Sequence, residues 1–274
     1  MIELKHLSGG GGSYAPVRNL QCRLNNGGVI GVLGEKGAGQ STLLALLAGA
    51  LLPSAGTLKI NGFDPVRERA RVSSLVGYLP RGYEPDGTMT PMEYLLFAAD
   101  MHGAVYERAL RRAQGLLETL GLLAKRDTLI ANLSFGERRL LAVAGTLMAA
   151  PEFILLDSPF AGLAPRAAQI LREWIPQMGE NATVLVSTTA PHELDRICTR
   201  AIILKNGGTL AGVCETHEQS LSAVCAAVLS KELPTEESEP EQSPPKRKNR
   251  WRLLTASTAE VELIDPAEKE DATR

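Results

Sequence analysis

The stretch Val29-Ile-Gly-Val-Leu-Gly-Glu-Lys-Gly-Ala-Gly-Gln-Ser-Thr-Leu-Leu-Ala-Leu-Leu-Ala48 reads as three pieces. Val29 to Leu33 is a short apolar run of strand length, residues 34–39 are a glycine-rich loop, and Ser41 to Ala48 is a helix. Outward from it, to about residue 229, short apolar runs alternate with helical patterns, the signature of an α/β chain with a parallel sheet and crossover helices. Strands are expected at 57–60, 74–79, 153–157, 183–187, 201–204 and 209–213. Long amphipathic patterns at 92–122 and 136–149, punctuated by Pro91 and Gly103, read as a helical insert.

Composition narrows the class. Of 274 residues, 44% are hydrophobic and 22% charged, near globular averages. The longest apolar run, Leu43 to Leu52, is far short of a membrane helix. The N-terminus Met1-Ile-Glu-Leu-Lys-His6 lacks the pattern of a secretory signal, so a cytoplasmic protein is expected. A net charge of −2 gives no electrostatic case for nucleic acid. Four scattered cysteines, Cys22, Cys198, Cys214 and Cys225, have neither metal nor CxxC spacing and read as buried or free thiols.

A boundary is expected near Leu229. Residues 231–249 are built from Pro, Glu, Ser and Lys, the composition of a disordered linker, so 230–274 reads as a flexible polar tail. Within it Lys246-Arg-Lys-Asn-Arg-Trp-Arg252 is open to two readings, a solvated linker or a cluster docking on anionic lipid. Ala259-Glu-Val-Glu-Leu-Ile264 is a short strand-like run.

The loop Gly34-Glu-Lys-Gly-Ala-Gly-Gln-Ser-Thr42 has the glycine spacing of a P-loop, in which backbone N–H groups at a helix N-terminus cradle phosphates. Where such a loop carries a phosphate-binding lysine, this chain has Gln40. By itself a lysine-less glycine loop is equally a structural turn.

Further segments follow in register. Leu133-Ser-Phe-Gly-Glu137 opens a helix that Ser134 caps, and Phe153-Ile-Leu-Leu-Asp157 is an apolar strand ending in aspartate. Val76-Gly-Tyr-Leu-Pro80, Gly162-Leu-Ala-Pro165 and Val184-Leu-Val-Ser-Thr188 complete the series. In this order the segments resemble the ATP-binding cassette (ABC) transporter ATPases over nearly all of residues 1–229. The run from Met89 to Gly103 is similar to the helical subdomain of cassettes serving ABC-2 type exporters.

The resemblance implies a P-loop NTPase (RecA-like) core with an antiparallel β subdomain at the N-terminus and a helical subdomain near 89–150. It implies ATP and Mg2+ as cofactors, with Gly34, Lys36, Gly37, Gly39, Gln40, Ser41 and Thr42 at the nucleotide and Ser41 and Asp157 at the metal. It also implies a second cassette, as homo- or heterodimer, contacted in trans by Ser134 and Gly136. A membrane permease is the further partner, with the chain peripheral on the inner face of the cell membrane.

The departures fall on catalytic positions. Ser158 stands in place of the catalytic glutamate, Thr189 in place of the switch histidine, with His192 three residues on, Arg81 at the Q-loop position and Ala164 at the D-loop aspartate. Near the expected adenine-stacking residue lie Gly9 to Gly12, with Tyr14 the nearest aromatic ring. Binding with severely impaired hydrolysis is therefore expected. The alternatives are an active ATPase with rearranged groups, in which Lys36 or Arg81 supplies the missing charge, and a permease-docking scaffold without nucleotide. For Lys36 the competing reading is a solvated loop side chain, and for Arg81 a structural or partner contact.

Overall fold

The computed structural model describes residues 1–11, 14–215 and 220–230. It contains strands β1 (Ile2–Gly11), β2 (Tyr14–Leu24), β3 (Gly28–Gly34), β4 (Pro53–Ile60), β5 (Val76–Leu79), β6 (Phe153–Asp157), β7 (Thr183–Thr188), β8 (Arg200–Lys205) and β9 (Thr209–Glu215). Its helices are α1 (Gln40–Leu47), α2 (Arg69–Leu75), α3 (Pro91–Asp100), α4 (Tyr106–Thr119), α5 (Phe135–Thr146), α6 (Pro165–Asn181) and α7 (Leu221–Leu229). The main sheet runs β5-β6-β7-β3-β8-β9, parallel except for β9, which pairs antiparallel to β8. A second, antiparallel sheet has the order β2-β1-β4.

The main strands read as unbroken apolar runs because both of their faces are covered. Ile30, Val32, Leu155, Leu185 and Ile202 point to one side and join Leu43, Leu44, Leu46 and Leu47 of α1. Val29, Leu33, Ile154, Leu156, Val184 and Val186 point to the other and join α5 and α6. On the first side the antiparallel sheet closes over α1 through Ile2, Leu4, Leu7, Val17 and Leu20. Helix α1 is thus enclosed, and seven of its eight residues are buried.

The helical portion packs on the second side. Helix α3 starts with Pro91 behind a Thr90–Glu93 capping box. Helix α4 turns Ala109, Ala113 and Leu117 inward at four-residue spacing. Helix α5 is buried from Arg139 to Ala144.

Two expectations from sequence need revision. The stretch 74–79 is not one strand: Leu75 ends α2, and β5 begins at Val76, which pairs with Phe153 of β6. The strand expected at 57–60 starts at Pro53, because β1 extends far enough to pair with it there. Helix α6 is a further element, starting with Pro165 at its first turn. The glycine run does not break β1, for Gly9 pairs with Val17 and Gly11 with Tyr14. A Cβ on Gly9 would stand 2.9 Å from Cδ2 of Leu46, so a glycine lets α1 approach. Cys198, Cys214 and Cys225 are buried, which pushes their thiols up to about 12, 11 and 11 respectively. Gly12, the tail motif at 246–252 and the run at 259–264 lie outside the described residues.

At Gly77 on β5 an added Cβ would lie 2.4 Å from the backbone oxygen of Thr146, which ends α5 and cannot yield as a side-chain tip would. Gly77→Ala is expected to destabilise the chain by about 1–3 kcal/mol, read as a lower urea midpoint with unchanged slope.

Candidate nucleotide site

The C-terminal edge of the parallel strands gathers the chemistry. The pairings Leu33↔Thr188, Asp157↔Ser187 and Leu79↔Leu156 bring the ends of β3, β7, β6 and β5 into line. The loop after Gly34, the turn after Asp157, the turn after Thr188 and the loop after Leu79 therefore leave the sheet side by side. In open α/β sheets this edge is where ligands bind.

The loop is shaped for an anion. Gly37 and Gly39 have φ of 91° and 95°, a left-handed conformation that favours glycine. A Cβ on Gly39 would stand 2.6 Å from Cγ1 of Val17, so packing imposes the same requirement. Gly39 is the N-cap of α1 and no side chain caps this end, which leaves first-turn N–H groups and the positive end of the helix dipole for a phosphate.

Gln40 is buried and folds back across the loop. Its Nε2 donates to the carbonyl oxygens of Gly34 at 2.6 Å and Glu35 at 3.2 Å. A primary amide nitrogen has two protons, and both are engaged. The Gln40 side chain therefore holds the loop together and offers a ligand neither charge nor a free amide proton. Lys36 is exposed on the same loop, and Thr42 is buried in α1.

Asp157, 1% exposed, receives three hydroxyls on Oδ1: Ser187 at 2.6 Å, Ser41 at 3.0 Å and Ser158 at 3.3 Å. The hydroxyl of Ser41 beside a carboxylate is a hard oxygen donor set that fits Mg2+. The metal would complete the site by neutralising phosphate charge. Ser158, at φ 49°, turns its hydroxyl onto Asp157 while its N–H donates to Oγ of Ser187 at 2.9 Å. A hydroxyl held there is no general base at neutral pH.

The sequence reading missed Arg139. This residue of α5 is 5% exposed, and its guanidinium donates to the carbonyl oxygens of Asp157 at 3.0 Å, Ser158 at 3.1 Å, Tyr83 at 3.3 Å and Pro159 at 3.5 Å. Burial lowers its pKa from the ordinary value, while Asp157 and Glu84 oppose that shift. One planar fork thus fixes the backbone around Ser158 to α5 and to the loop after β5. The available signal was position, since Arg139 opens the stretch of α5 that is buried on every side.

Thr189, in the switch position, is exposed. Its neighbour Thr188 donates to Oε2 of Glu193 at 2.6 Å and accepts from the N–H of Ala190 at 2.9 Å, so Glu193 is a second residue beside the site that the sequence did not single out. His192 is exposed in a 3-10 turn at Pro191–Leu194. Ala164 is the N-cap of α6 without a side-chain cap. Tyr14 belongs to β2, but its side chain lies outside the described residues.

Ser134 and Gly136 do not join the 34–42 loop within this chain. Ser134 caps α5 through a capping box with Glu137, at 3.3 Å from the Glu137 N–H. Burial raises the Glu137 pKa, but the Lys125 ammonium at 2.6 Å and Ser134 outweigh it and hold the carboxyl below its ordinary value. A Cβ on Gly136 would lie 2.8 Å from that of Ala167, so glycine lets α5 meet α6.

The family model described as "ABC transporter" matches residues 17–161. The chain is 30% identical over 207 residues to YxlF of Bacillus subtilis (strain 168), an uncharacterized ABC transporter ATP-binding protein, covering 76% of this chain and 68% of that one. It is 32% identical over 196 residues to the ABC transporter ATP-binding protein NatA of the same organism, covering 70% and 78%. A solved structure of an ATP-binding subunit of an ABC transporter superposes with a TM-score of 0.73 at 24% identity, covering 83% of this chain and 99% of the other.

Arg139→Met is expected to cost about 2–4 kcal/mol, because it strips donors from buried carbonyls at 157 and 158. Arg139→Lys should recover only part of that, since one ammonium cannot span the four acceptors. Urea unfolding of the three proteins checks both.

Proposed function

The chain belongs to the ABC transporter family as an ATP-binding subunit, and we propose that it binds Mg·ATP in the 34–42 loop, hydrolyses it very slowly on its own, and couples binding to a membrane permease. The observation that carries this reading is the contrast between loop and engine. The uncapped end of α1 leaves backbone donors for phosphate. Gln40 has both amide protons on loop carbonyls, and Ser158 has its hydroxyl on Asp157. Phosphoryl transfer depends almost wholly on positioned charge and an oriented nucleophile, and the side chains at 40 and 158 provide neither.

In this reading Gly34, Lys36, Gly37, Gly39, Ser41 and Thr42 surround the nucleotide, and Ser41 and Asp157 hold Mg2+. Ser134 and Gly136 face the nucleotide of a second cassette, so a chain weak in its own chemistry still completes a partner's site. Residues 1–229 form the cassette and 230–274 a tail. Permease contact is assigned to the helical portion, where Phe97, Met101, Val105 and Tyr106 are all more than half exposed around the α3–α4 turn. Such a cluster of large apolar side chains marks an interaction surface. No described helix is long and apolar enough to cross a membrane, so the chain would act from the inner membrane face through that contact. Among its relatives are the linearmycin resistance ATP-binding protein LnrL of Bacillus subtilis (strain 168) and a probable multidrug ABC transporter ATP-binding protein, YbhF, of Escherichia coli (strain K12). An exporter is therefore the transporter class proposed here.

Equilibrium titration with ATP, with and without magnesium, tests the reading. Micromolar affinity that weakens without magnesium, and loses that dependence in Ser41→Ala and Asp157→Asn, is expected; no binding at millimolar ATP would sink it. Phosphate release should lie near background and rise by about 10² or more in the triple variant Gln40→Lys/Ser158→Glu/Thr189→His, which restores a cation, a base and an imidazole.

A further inference from the structure

A cavity of about 690 Å³ opens at the other edge of the main sheet, within the size range of small-molecule sites. Its walls include Arg112 of α4, Leu147 and Pro151 at the end of α5, Ile154 of β6, and Trp174 and Met178 of α6. Pro151 and Ala182 on its lining stand just before β6 and β7, so the cavity lies where those strands begin. The 34–42 loop lies where they end. The cavity shares no residue with that loop or with the groups around Asp157.

The floor is apolar, since Leu147, Ile154, Trp174 and Met178 are buried residues that nonetheless line it. One cation stands at the rim. Arg112 is exposed, and its Nε donates to the Leu147 carbonyl at 2.8 Å, which fixes the guanidinium over the end of α5. Its two Nη nitrogens make no hydrogen bond or ion pair among the described residues, and Glu180, the one carboxylate on the lining, is not paired with it. Partial desolvation at this contact lowers the Arg112 pKa from its ordinary value with no carboxylate opposing the shift. Arg139 and Arg200 differ, for Asp157 and Glu215 respectively oppose theirs. A partly desolvated cation without a counter-ion is costly. A carboxylate on the Nη pair would offset that cost through two parallel hydrogen bonds.

We propose that this cavity is a second ligand site and that it takes an amphiphilic anion, with an apolar body laid against Trp174 and Met178 and a terminal carboxylate on the Nη nitrogens of Arg112. The inference goes beyond the nucleotide reading and does not depend on it. Each part of the cavity sets one property of the ligand. The buried floor selects an apolar body, and the single unpaired guanidinium selects one negative charge. Glu180 on the same rim disfavours a polyanion by like-charge repulsion, so a nucleotide is not the ligand of this cavity. Because Arg112 belongs to α4 and Trp174 to α6, a molecule held between them would join the helical portion to the core.

The chain has two tryptophans, Trp174 and Trp251, so in the full-length Trp251→Phe variant tryptophan emission reports on the cavity wall alone. That protein is titrated with decanoate and with decanol, its uncharged counterpart, and both titrations are repeated with Arg112→Gln or Arg112→Lys added. The expected result is a saturable shift of Trp174 emission, with decanoate bound about 10-fold or more tighter than decanol. Arg112→Gln should weaken decanoate by about 10- to 100-fold and leave decanol within about twofold, which also shows the wall intact. Arg112→Lys should recover part of the loss, because it keeps the charge without the fork. Equal affinity for decanoate and decanol without an Arg112 substitution, or a loss in Arg112→Gln shared by both, overturns the proposal. So does the lack of any saturable response at millimolar decanoate.

Discussion

The carboxylate of Asp157 joins parts of the chain that are otherwise distant in sequence. It is buried at the end of β6, and a lone buried charge is costly unless its oxygens are hydrogen-bonded. Its partners are hydroxyls from α1, from β7 and from the turn that follows it. Ser41 can reach it only if α1 starts where it does, which requires the left-handed glycines at 37 and 39. Ser187 can reach it only because β6 and β7 pair in the register that sets these residues opposite. The placement of the phosphate loop beside a magnesium-type donor set follows from satisfying this one group.

Arg139 plays the complementary part behind the same turn. Where Asp157 draws hydroxyls inward, Arg139 gathers carbonyl oxygens from three consecutive residues of that turn and one from the loop after β5. Arg139 bonds the backbone carbonyls of this turn, and Asp157 accepts the hydroxyl of Ser158, which sits at φ 49°. The turn that carries Ser158 is thus held by hydrogen bonds to Asp157 and from Arg139.

The main strands were readable from sequence because burial on both faces leaves their interiors apolar, as in Phe153–Asp157 and Thr183–Thr188, whose polar residues lie at the strand ends. The N-terminal strands were harder. Bulges between Leu4 and Leu7 and between Leu7 and Gly9 shift the inward residues away from a strict alternation, and the glycine run imitates a loop. Helix α2 escaped because only Val72 of its seven residues is buried, which leaves no apolar stripe to detect.

For the candidate site, the glycine loop at 34–42, the strand ending at Asp157 and the cap at Ser134 were legible as local properties of short segments, whereas positions 40, 81, 158 and 189 were marked only by the resemblance. What surrounds those positions was decided by tertiary structure. Gln40 and Ser158 bond within their own segments, to Gly34 and Glu35 and to Asp157, but Ser41 of α1 and Ser187 of β7 meet Asp157 from distant parts of the chain, and Arg139 reaches the turn at 157–158 from α5. Hydrogen bonds are made between neighbours in space, and only the folded sheet edge makes those distant residues neighbours.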